Sequence, residues 1–542
     1  MLKMVKQGGD YSIEKIYLIF ISLATLLPGF GAIDNNPIRW MTIGFITILF
    51  LFYQRLISRE KIKINFKNSI IVFLSGVYLL LNCLTADNFI ESLITIYKLA
   101  IIVSVFYSSY LATRKISDAF LFICYIFTFS IFFESAYTLI DFFSTDNSFT
   151  GISQNRNISS SSLVFKLIFL IYLINYSKSF YSKSVLKAVE LAALLSIILL
   201  QSRLGIISLF IIYFLYFILK RASRKRMIFS VLISCLFFIY FNNNEFQNKI
   251  EKNYTFQYLS GDESTNQRLS FYEASISLFK EKPFIGNGLG SWKYKSIQDK
   301  ISKNNLILVP YYTHNDFLQI LMETGLVGLC IYLTFFGLLI KNIFKNRRES
   351  TFTPLLIALF IVLINSLINF PIHRTQEYIP FIICCSLIFN KKEYTTQGNS
   401  TDIIPLFMIL LIPSLLLANY EYRSLKAQEI LMSDYKKNKF SLSIDEIKKI
   451  NYQLPNLASN VVPISTYLSR YYFNEKMYYE SIRLLEFALE LNKFDLMSNE
   501  LMLKNYIFTN QTDKALILVK ELINRYPENK NYLNILLAIS KE

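Results

Sequence analysis

Charge is scarce in this chain of 542 residues: Asp, Glu, Lys and Arg together make up 18% of it. A soluble domain carries about 25%, and here hydrophobic residues reach 53% instead. Long apolar runs on that scale point to a lipid bilayer rather than to an ordinary soluble core. Histidine is scarcer still, with only His314 and His373 in the whole chain. Six cysteines, Cys83, Cys124, Cys235, Cys330, Cys384 and Cys385, lie in apolar stretches and none has zinc-ligand spacing with His. They read as small apolar residues, and no disulfide framework is implied. No small-residue cleavage site follows the first apolar run, so Ile16–Ile33 reads as a span and not as a signal peptide. Acidic residues are outnumbered, leaving a net charge of +17. In a soluble protein such a balance raises nucleic acid as a partner. Here the basic residues sit in short loops between apolar runs, so the balance is a topology signal and no nucleic-acid partner is expected.

A helix crossing the hydrocarbon core needs about 20 largely apolar residues. The pattern gives thirteen candidate spans: Ile16–Ile33, Ile38–Phe52, Ser69–Thr85, Leu93–Leu111, Ala119–Ile140, Ser162–Tyr176, Ala188–Leu200, Leu204–Leu219, Met227–Phe241, Phe317–Ile340, Pro354–Phe370, Tyr378–Asn390 and Ile403–Asn419. One set of loops holds 23 lysines and arginines, whereas the short loops of the other set hold Arg39, Arg156, Arg203 and Arg374. The positive-inside rule then places the N-terminus in the cytoplasm and, with thirteen spans, the C-terminus outside. The run Ala188–Leu219 is too long for one crossing and has basic loops on both sides, so it must turn back on itself at Gln201-Ser202-Arg203. The fold class is therefore all-α: a polytopic helical membrane protein of about 12–13 transmembrane helices.

Two long segments lie outside the spans. The loop Asn242–Thr313 is expected to face the periplasm and to be folded, with helical periodicity in Leu269–Phe279. Residues 421–542 are soluble in composition. There Tyr479-Glu480-Ser481-Ile482 recurs as Asp513-Lys514-Ala515-Leu516, an offset of 34 shared by the pairs Leu485 and Val519, Leu489 and Ile523. Paired amphipathic helices at that period resemble tetratricopeptide repeats, and a generic helical bundle is the plainer reading. The expected division is a membrane domain over 1–420, with its periplasmic loop at 242–316, and a helical-repeat domain over 421–542 that docks a protein partner.

Few residues are equipped for chemistry. An imidazole titrates near neutrality and can serve as a general base; both histidines fall at outer span ends, and an interfacial solvated side chain is the ordinary reading of either. Arg203 sits within an apolar run, where an ionised group is costly and marks function by default, although it can also snorkel to the head groups. Its planar fork suits phosphate oxygens. Lys98 and Lys166 are weaker cases of the same kind, with Glu134 and Glu323 available as partners. Pro283-Phe-Ile-Gly286-Asn-Gly288-Leu-Gly290 lacks the Lys-Ser/Thr of a nucleotide loop and reads as a tight backbone turn.

Several of these elements occur together in an order that resembles the O-antigen ligase superfamily, which includes O-antigen ligases, O-antigen polymerases and O-linked oligosaccharyltransferases. They are Arg268-Leu-Ser-Phe-Tyr-Glu-Ala274, the Pro283 to Gly290 turn ending at Trp292, and His314-Asn315-x-x-Leu318-Gln319-x-x-x-Glu323-x-Gly325-x-x-Gly328. Gly151-Ile-Ser-Gln-Asn155-Arg-Asn157 looks like that family's external Asn-rich turn, with Arg156 where a Pro is expected. Gln201-Ser202-Arg203 looks like its Arg-bearing junction. The resemblance covers roughly Tyr11–Asn390. It implies a glycosyltransferase needing no metal or other cofactor, which takes a glycan from an undecaprenyl diphosphate carrier. Carried over, His314 activates the acceptor hydroxyl while Arg203 and Arg268 stabilise the leaving diphosphate. Asn155, Asn315, Gly286, Gly288 and Gly290 are expected at the substrate. The acceptor implied is a glycan, a lipid A-core or a protein, leaving ligase, polymerase and protein O-oligosaccharyltransferase open. A transporter or flippase would instead show inverted repeats and broken helices, and a non-catalytic scaffold would tolerate loss of His314 and Arg268.

Overall fold

A computed structural model describes residues 12–57, 66–144, 149–219, 228, 232, 262–296, 311–390, 404–527 and 529–540. Among them the chain is helical and contains no β-strand. The helices are α1 (Ile13–Ala24), α2 (Asn36–Leu56), α3 (Phe66–Leu84), α4 (Phe89–Lys115), α5 (Ala119–Ser144), α6 (Arg156–Tyr176), α7 (Phe180–Leu199) and α8 (Arg203–Ile218). After them come α9 (Asp262–Glu281), α10 (Asp316–Lys345), α11 (Phe352–Ile368), α12 (Thr375–Phe389) and α13 (Ile404–Lys437). Of these, α2, α4, α5, α6, α10 and α13 are long and apolar enough to cross a membrane, and Leu74–Leu84, α8, α11 and α12 are shorter apolar helices. The protein is thus a multi-pass helical membrane protein. Each expected span on described residues overlaps a helix, in whole or in part; the expected span Met227–Phe241 lies outside the described residues except at 228 and 232.

Two spans differ from expectation. The first stops at Ala24 rather than Ile33, because Pro28 and the positive φ of Phe30 and Gly31 (47° and 84°) turn the chain out of helix. The Arg39 guanidinium, fully enclosed in α2, donates to the carbonyls of Leu27 and Ile152 at 2.8 and 2.9 Å and holds that turn. Conversely, α7 begins at Phe180, eight residues before the expected Ala188. The hairpin turn after it is present: Gln201 adopts φ 52°, and Ser202 caps α8 by accepting from Gly205 N at 3.2 Å.

Hydrogen bonds knit loop ends within two separate sets. At one end of the bundle Lys115 binds Gln54 and Glu14, and Asn390 binds Thr113. At the other, Asn36 reaches the His373 carbonyl, Arg374 pairs with Asp34 at 2.7 Å, Ser202 binds Asn157 and Asn88 binds Asn456. The two sets coincide with the basic and non-basic loops of the sequence. The N-termini of α2, α4, α6, α8, α10 and α12 all lie at the second end.

The buried lysines are paired. Lys166 meets Glu134, with Ser162 between their helices, in a pocket closed to solvent. Lys98 pairs not with Glu323 but with Glu421 on α13, at 2.9 Å. Glu323 instead accepts from Gln319 on its own helix, one turn away, and faces the Trp292 N–H. Removing one partner of a buried pair strands the other charge at a cost of about 3–5 kcal/mol. Lys166→Met is therefore expected to lower the melting temperature and folded yield sharply. Lys166→Met with Glu134→Leu should restore most of both, and equal losses in the single and double variants would refute the pairing argument.

Helix α13 runs unbroken through residue 420, so the tail leaves the membrane region on a continuous helix. Beyond a one-turn helix at Ile444–Ile447, five helices follow: α14 (Ile464–Asn474), α15 (Tyr478–Leu491), α16 (Leu496–Phe508), α17 (Thr512–Arg525) and α18 (Lys530–Ile539). Tyr478 and Thr512 open α15 and α17, and Leu496 and Lys530 open α16 and α18, each pair 34 residues apart. Ser481 and Ala515, Leu485 and Val519 are fully buried, as equivalent positions in successive hairpins would be.

Candidate functional site

The glycine-rich turn fits a break in α10. At Gly325 the backbone takes φ 62° and ψ −168°, so the helix kinks and frees the carbonyls before it. The turn takes them up: Asn287 N–H donates to Met322 O at 3.0 Å and Gly288 N–H to Glu323 O at 2.9 Å. In return Leu326 N–H donates to Pro283 O at 2.9 Å. From α3, Asn82 Nδ2 donates to Ile285 O at 2.7 Å, and the Tyr78 hydroxyl donates to Thr324 O. A side chain on Gly286 would strike the backbone of Glu323 and Gly325, and one on Gly325 would strike Phe284. Gly288 lies against Ala86 and Gly290 against Glu91. All three glycines of the turn are therefore occupied in close backbone packing rather than lining open space. Gly286→Ala and Gly325→Ala combine steric collision with a left-handed conformation worth about 1–3 kcal/mol of strain. Each is expected to reduce the folded yield in membranes, with any remaining protein melting at lower temperature.

That joint sets α9 against α10. Phe271, Ala274 and Leu278 of α9 pack with Trp292 and Met322 in a small core. Tyr272 donates its hydroxyl to the His314 carbonyl at 3.1 Å. One turn before Tyr272 on α9 stands Arg268, half-buried. Burial lowers its pKa from the ordinary guanidinium value, the Arg203 charge lowers it further, and Tyr272 opposes the shift. Among the described residues neither Arg268 nor Arg203 has a carboxylate within ion-pair distance. Arg203 is exposed at the first position of α8, not enclosed as the flanking apolar run suggested, because the hairpin turn carries it to the helix end.

His314 precedes α10 with φ 57°. Its ring meets the edge of Phe370 at 5.0 Å and lies near-parallel to Phe271 at 6.5 Å. Burial pulls its pKa down to about 4, and the positive charges of Arg268 and Arg374 push the same way against a hydrogen bond that the ring donates to Asn369. The imidazole is thus neutral at physiological pH, and its Nδ1 is buried without a hydrogen-bond partner. The next residue, Asn315, caps α10 by accepting from Leu318 N at 3.0 Å, and Asn155 caps α6 by accepting from Asn157 and Ile158. Arg268 is therefore within electrostatic reach of both His314 and Arg203, and these two stand at the N-termini of α10 and α8. Such helix ends favour anions. Asn155 and Asn315 spend their side-chain oxygens on capping.

The sequence reading missed Asn369, Arg374 and Asp34. Arg374 is fixed by Asp34, and His373 stacks on Tyr312 at 4.4 Å rather than standing in solvent. The signal for them was their place in loops of the same set as Arg203. Among the described residues no group of three His, Cys, Asp or Glu side chains is gathered as a metal site.

Residues 188–333 match a family model described as O-antigen ligase. The match runs from α7 to within α10 and includes Arg203, Arg268, the glycine-rich turn and His314. A Rickettsia conorii protein described as a polysaccharide ligase is 30% identical over 109 residues, covering 19% of this chain and 26% of the relative. One from Rickettsia bellii with the same description is 30% identical over 104 residues, covering 18% and 26%. The chain matches about a quarter of the length of these curated relatives.

Proposed function

We propose, from the premise that residues 188–333 are a segment of O-antigen ligase type, that this protein transfers a glycan from an undecaprenyl diphosphate carrier to an acceptor hydroxyl on the periplasmic face of the bacterial inner membrane. The observation that supports the reading is Arg268, which lies within electrostatic reach of both Arg203 and the neutral, half-buried His314 imidazole and, like Arg203, has no carboxylate at ion-pair distance among the described residues. The acceptor oxygen attacks the anomeric carbon, its proton passes to His314, and the bond from that carbon to the diphosphate oxygen breaks. The leaving oxygen keeps the electron pair, and Arg203 and Arg268 stabilise the charge that develops there. No residue needs to change oxidation state, and the charge balance closes on these three side chains. The 34-residue hairpins of the tail serve, on this reading, as a tetratricopeptide-like surface for a protein partner.

Vesicles containing the purified protein, supplied with an undecaprenyl-diphosphate-linked glycan and an acceptor, test the reading directly. Free undecaprenyl diphosphate and glycosylated acceptor are expected to appear in equal amounts, at a rate unchanged by a chelator of divalent cations. A flippase would move the donor and leave the glycan–diphosphate bond intact. The acceptor that gains the glycan, whether lipid A-core, growing polysaccharide or protein, decides the subclass.

A further inference from the structure

Beyond Tyr312 lies a second, separate space. It is a cavity of about 210 Å³, walled on one side by Asp34, Asn155, Tyr311, Tyr312 and Arg374 and on the other by the tail. The tail contributes Glu421, Leu425 and Gln428, which share one face of α13 at helical spacing, and the loop around Leu457. The ring of Tyr312 stacks on Phe370 at 4.6 Å, and Phe370 in turn meets His314, so one aromatic layer separates the cavity from the imidazole.

Its electrostatics differ from those around His314. Both cations in the lining are already matched, Lys98 by Glu421 at 2.9 Å and Arg374 by Asp34 at 2.7 Å. A diphosphate would have to compete with those carboxylates, whereas Arg203 and Arg268 have no carboxylate at ion-pair distance among the described residues. What the cavity leaves unspent is neutral hydrogen-bonding capacity. Neither the Tyr311 nor the Tyr312 hydroxyl hydrogen-bonds to another described residue; the paired Arg374 guanidinium also keeps one buried N–H, at Nε, without a partner. Gln428 is held in place by Ser424 and the Ser459 N–H at 2.9 Å each, as a positioned wall and not a mobile side chain. Pockets for drug-sized ligands run to about 300–1,000 Å³, so this one suits a single ring rather than a chain. A small ligand rich in hydroxyls and without net charge satisfies all of these conditions.

We propose that this cavity is a sugar subsite, in which one uncharged ring of a glycan is held between the membrane region and the tail through the Tyr311 and Tyr312 hydroxyls. It rests on the glycan-transfer reading for its role and makes α13 and the 455–459 loop part of the site, not only an appendage. The ring can belong to the donor glycan or to the acceptor, since both present the same hydroxyl chemistry.

The test uses the full-length protein in detergent, with the methyl glycosides of glucose, galactose and N-acetylglucosamine as probes and saturation-transfer NMR as readout. At least one glycoside is expected to bind, and Tyr311→Phe with Tyr312→Phe is expected to weaken it about tenfold, the loss of two modest hydrogen bonds. That double variant keeps both rings, so the aromatic packing and the melting temperature should stay put; Gln428→Leu tests the opposite wall. In steady-state transfer the same variants should raise KM about tenfold for the one substrate that brings the ring, which separates donor from acceptor. Absence of glycoside binding to the wild type, or binding unchanged in both variants, overturns the subsite. His314→Ala serves as the independent control. It should bind glycosides as the wild type does while losing transfer, and retained transfer in that variant sinks the functional reading without touching the subsite.

Discussion

His314→Ala should lower glycan transfer by about 10²–10⁴-fold, the usual worth of a positioned general base. With the imidazole gone, the acceptor hydroxyl must attack while still holding its proton. Lipid-linked donor should then accumulate in membranes that express the variant at wild-type level. His314→Gln keeps a polar side chain of similar reach but no titratable nitrogen, and should be about as poor. The pH profile distinguishes a base from a mere hydrogen-bond donor. Burial and the Arg268 charge hold His314 near 4 in the free protein, so its basic form predominates above that value and is lost as pH falls through it. The acid limb of kcat/KM is therefore expected near pH 4. A bound diphosphate places negative charge beside the ring and favours the imidazolium, so the acid limb of kcat should lie higher than that of kcat/KM. A histidine acting as a cationic donor predicts the opposite: activity that rises as pH falls. Transfer by His314→Ala within threefold of wild type would falsify the assignment of the base.

Much of this was legible from residue order. Apolar run length located the helices, and loop charge sorted their ends into the two sets that the hydrogen bonds join. The packing of the motif residues was less legible. The glycines read as a tight backbone turn, with substrate contact added by the family resemblance, but not as the partner of a break in another helix: Gly286 and Gly325 are 39 positions apart and exclude each other's side chains. Only the fold shows that the two motifs are halves of one joint. Long-range polar partners were equally hidden. Glu421 follows the last span and looks like the first residue of a soluble tail, yet it neutralises Lys98 in α4 and receives the Tyr97 hydroxyl. Nothing in local composition announces a pair separated by 323 residues. The turn after Ala24 was missed for a simpler reason: Leu26, Leu27 and Phe30 keep the hydropathy high although the backbone has already left the helix.

The arginines carry the second large effect. Arg268→Ala should lower kcat/KM by about 10²–10³-fold, comparable to the loss of one donor from an oxyanion site. Its guanidinium is half-buried and feels both His314 and Arg203, so its removal withdraws charge stabilisation where dielectric screening is weakest. It also removes a cation that depresses the His314 pKa, so the acid limb of kcat/KM should rise in the same variant. This coupled shift would not accompany a purely structural loss. Arg268→Lys should recover only part of the rate, since an ammonium supplies charge without the planar fork that spans two phosphate oxygens. Arg203 stands exposed at the α8 N-terminus, where the helix dipole already favours an anion, so Arg203→Ala should cost less than Arg268→Ala and show more strongly in donor KM. If both guanidiniums address one diphosphate, as proposed, the double variant should fall short of the summed single effects. Direct binding of undecaprenyl diphosphate by the purified variants supplies the second readout. If Arg268→Ala binds that lipid and turns over as the wild type does, the leaving group is not held here, and a carrier-moving role without bond cleavage becomes the better account of the site.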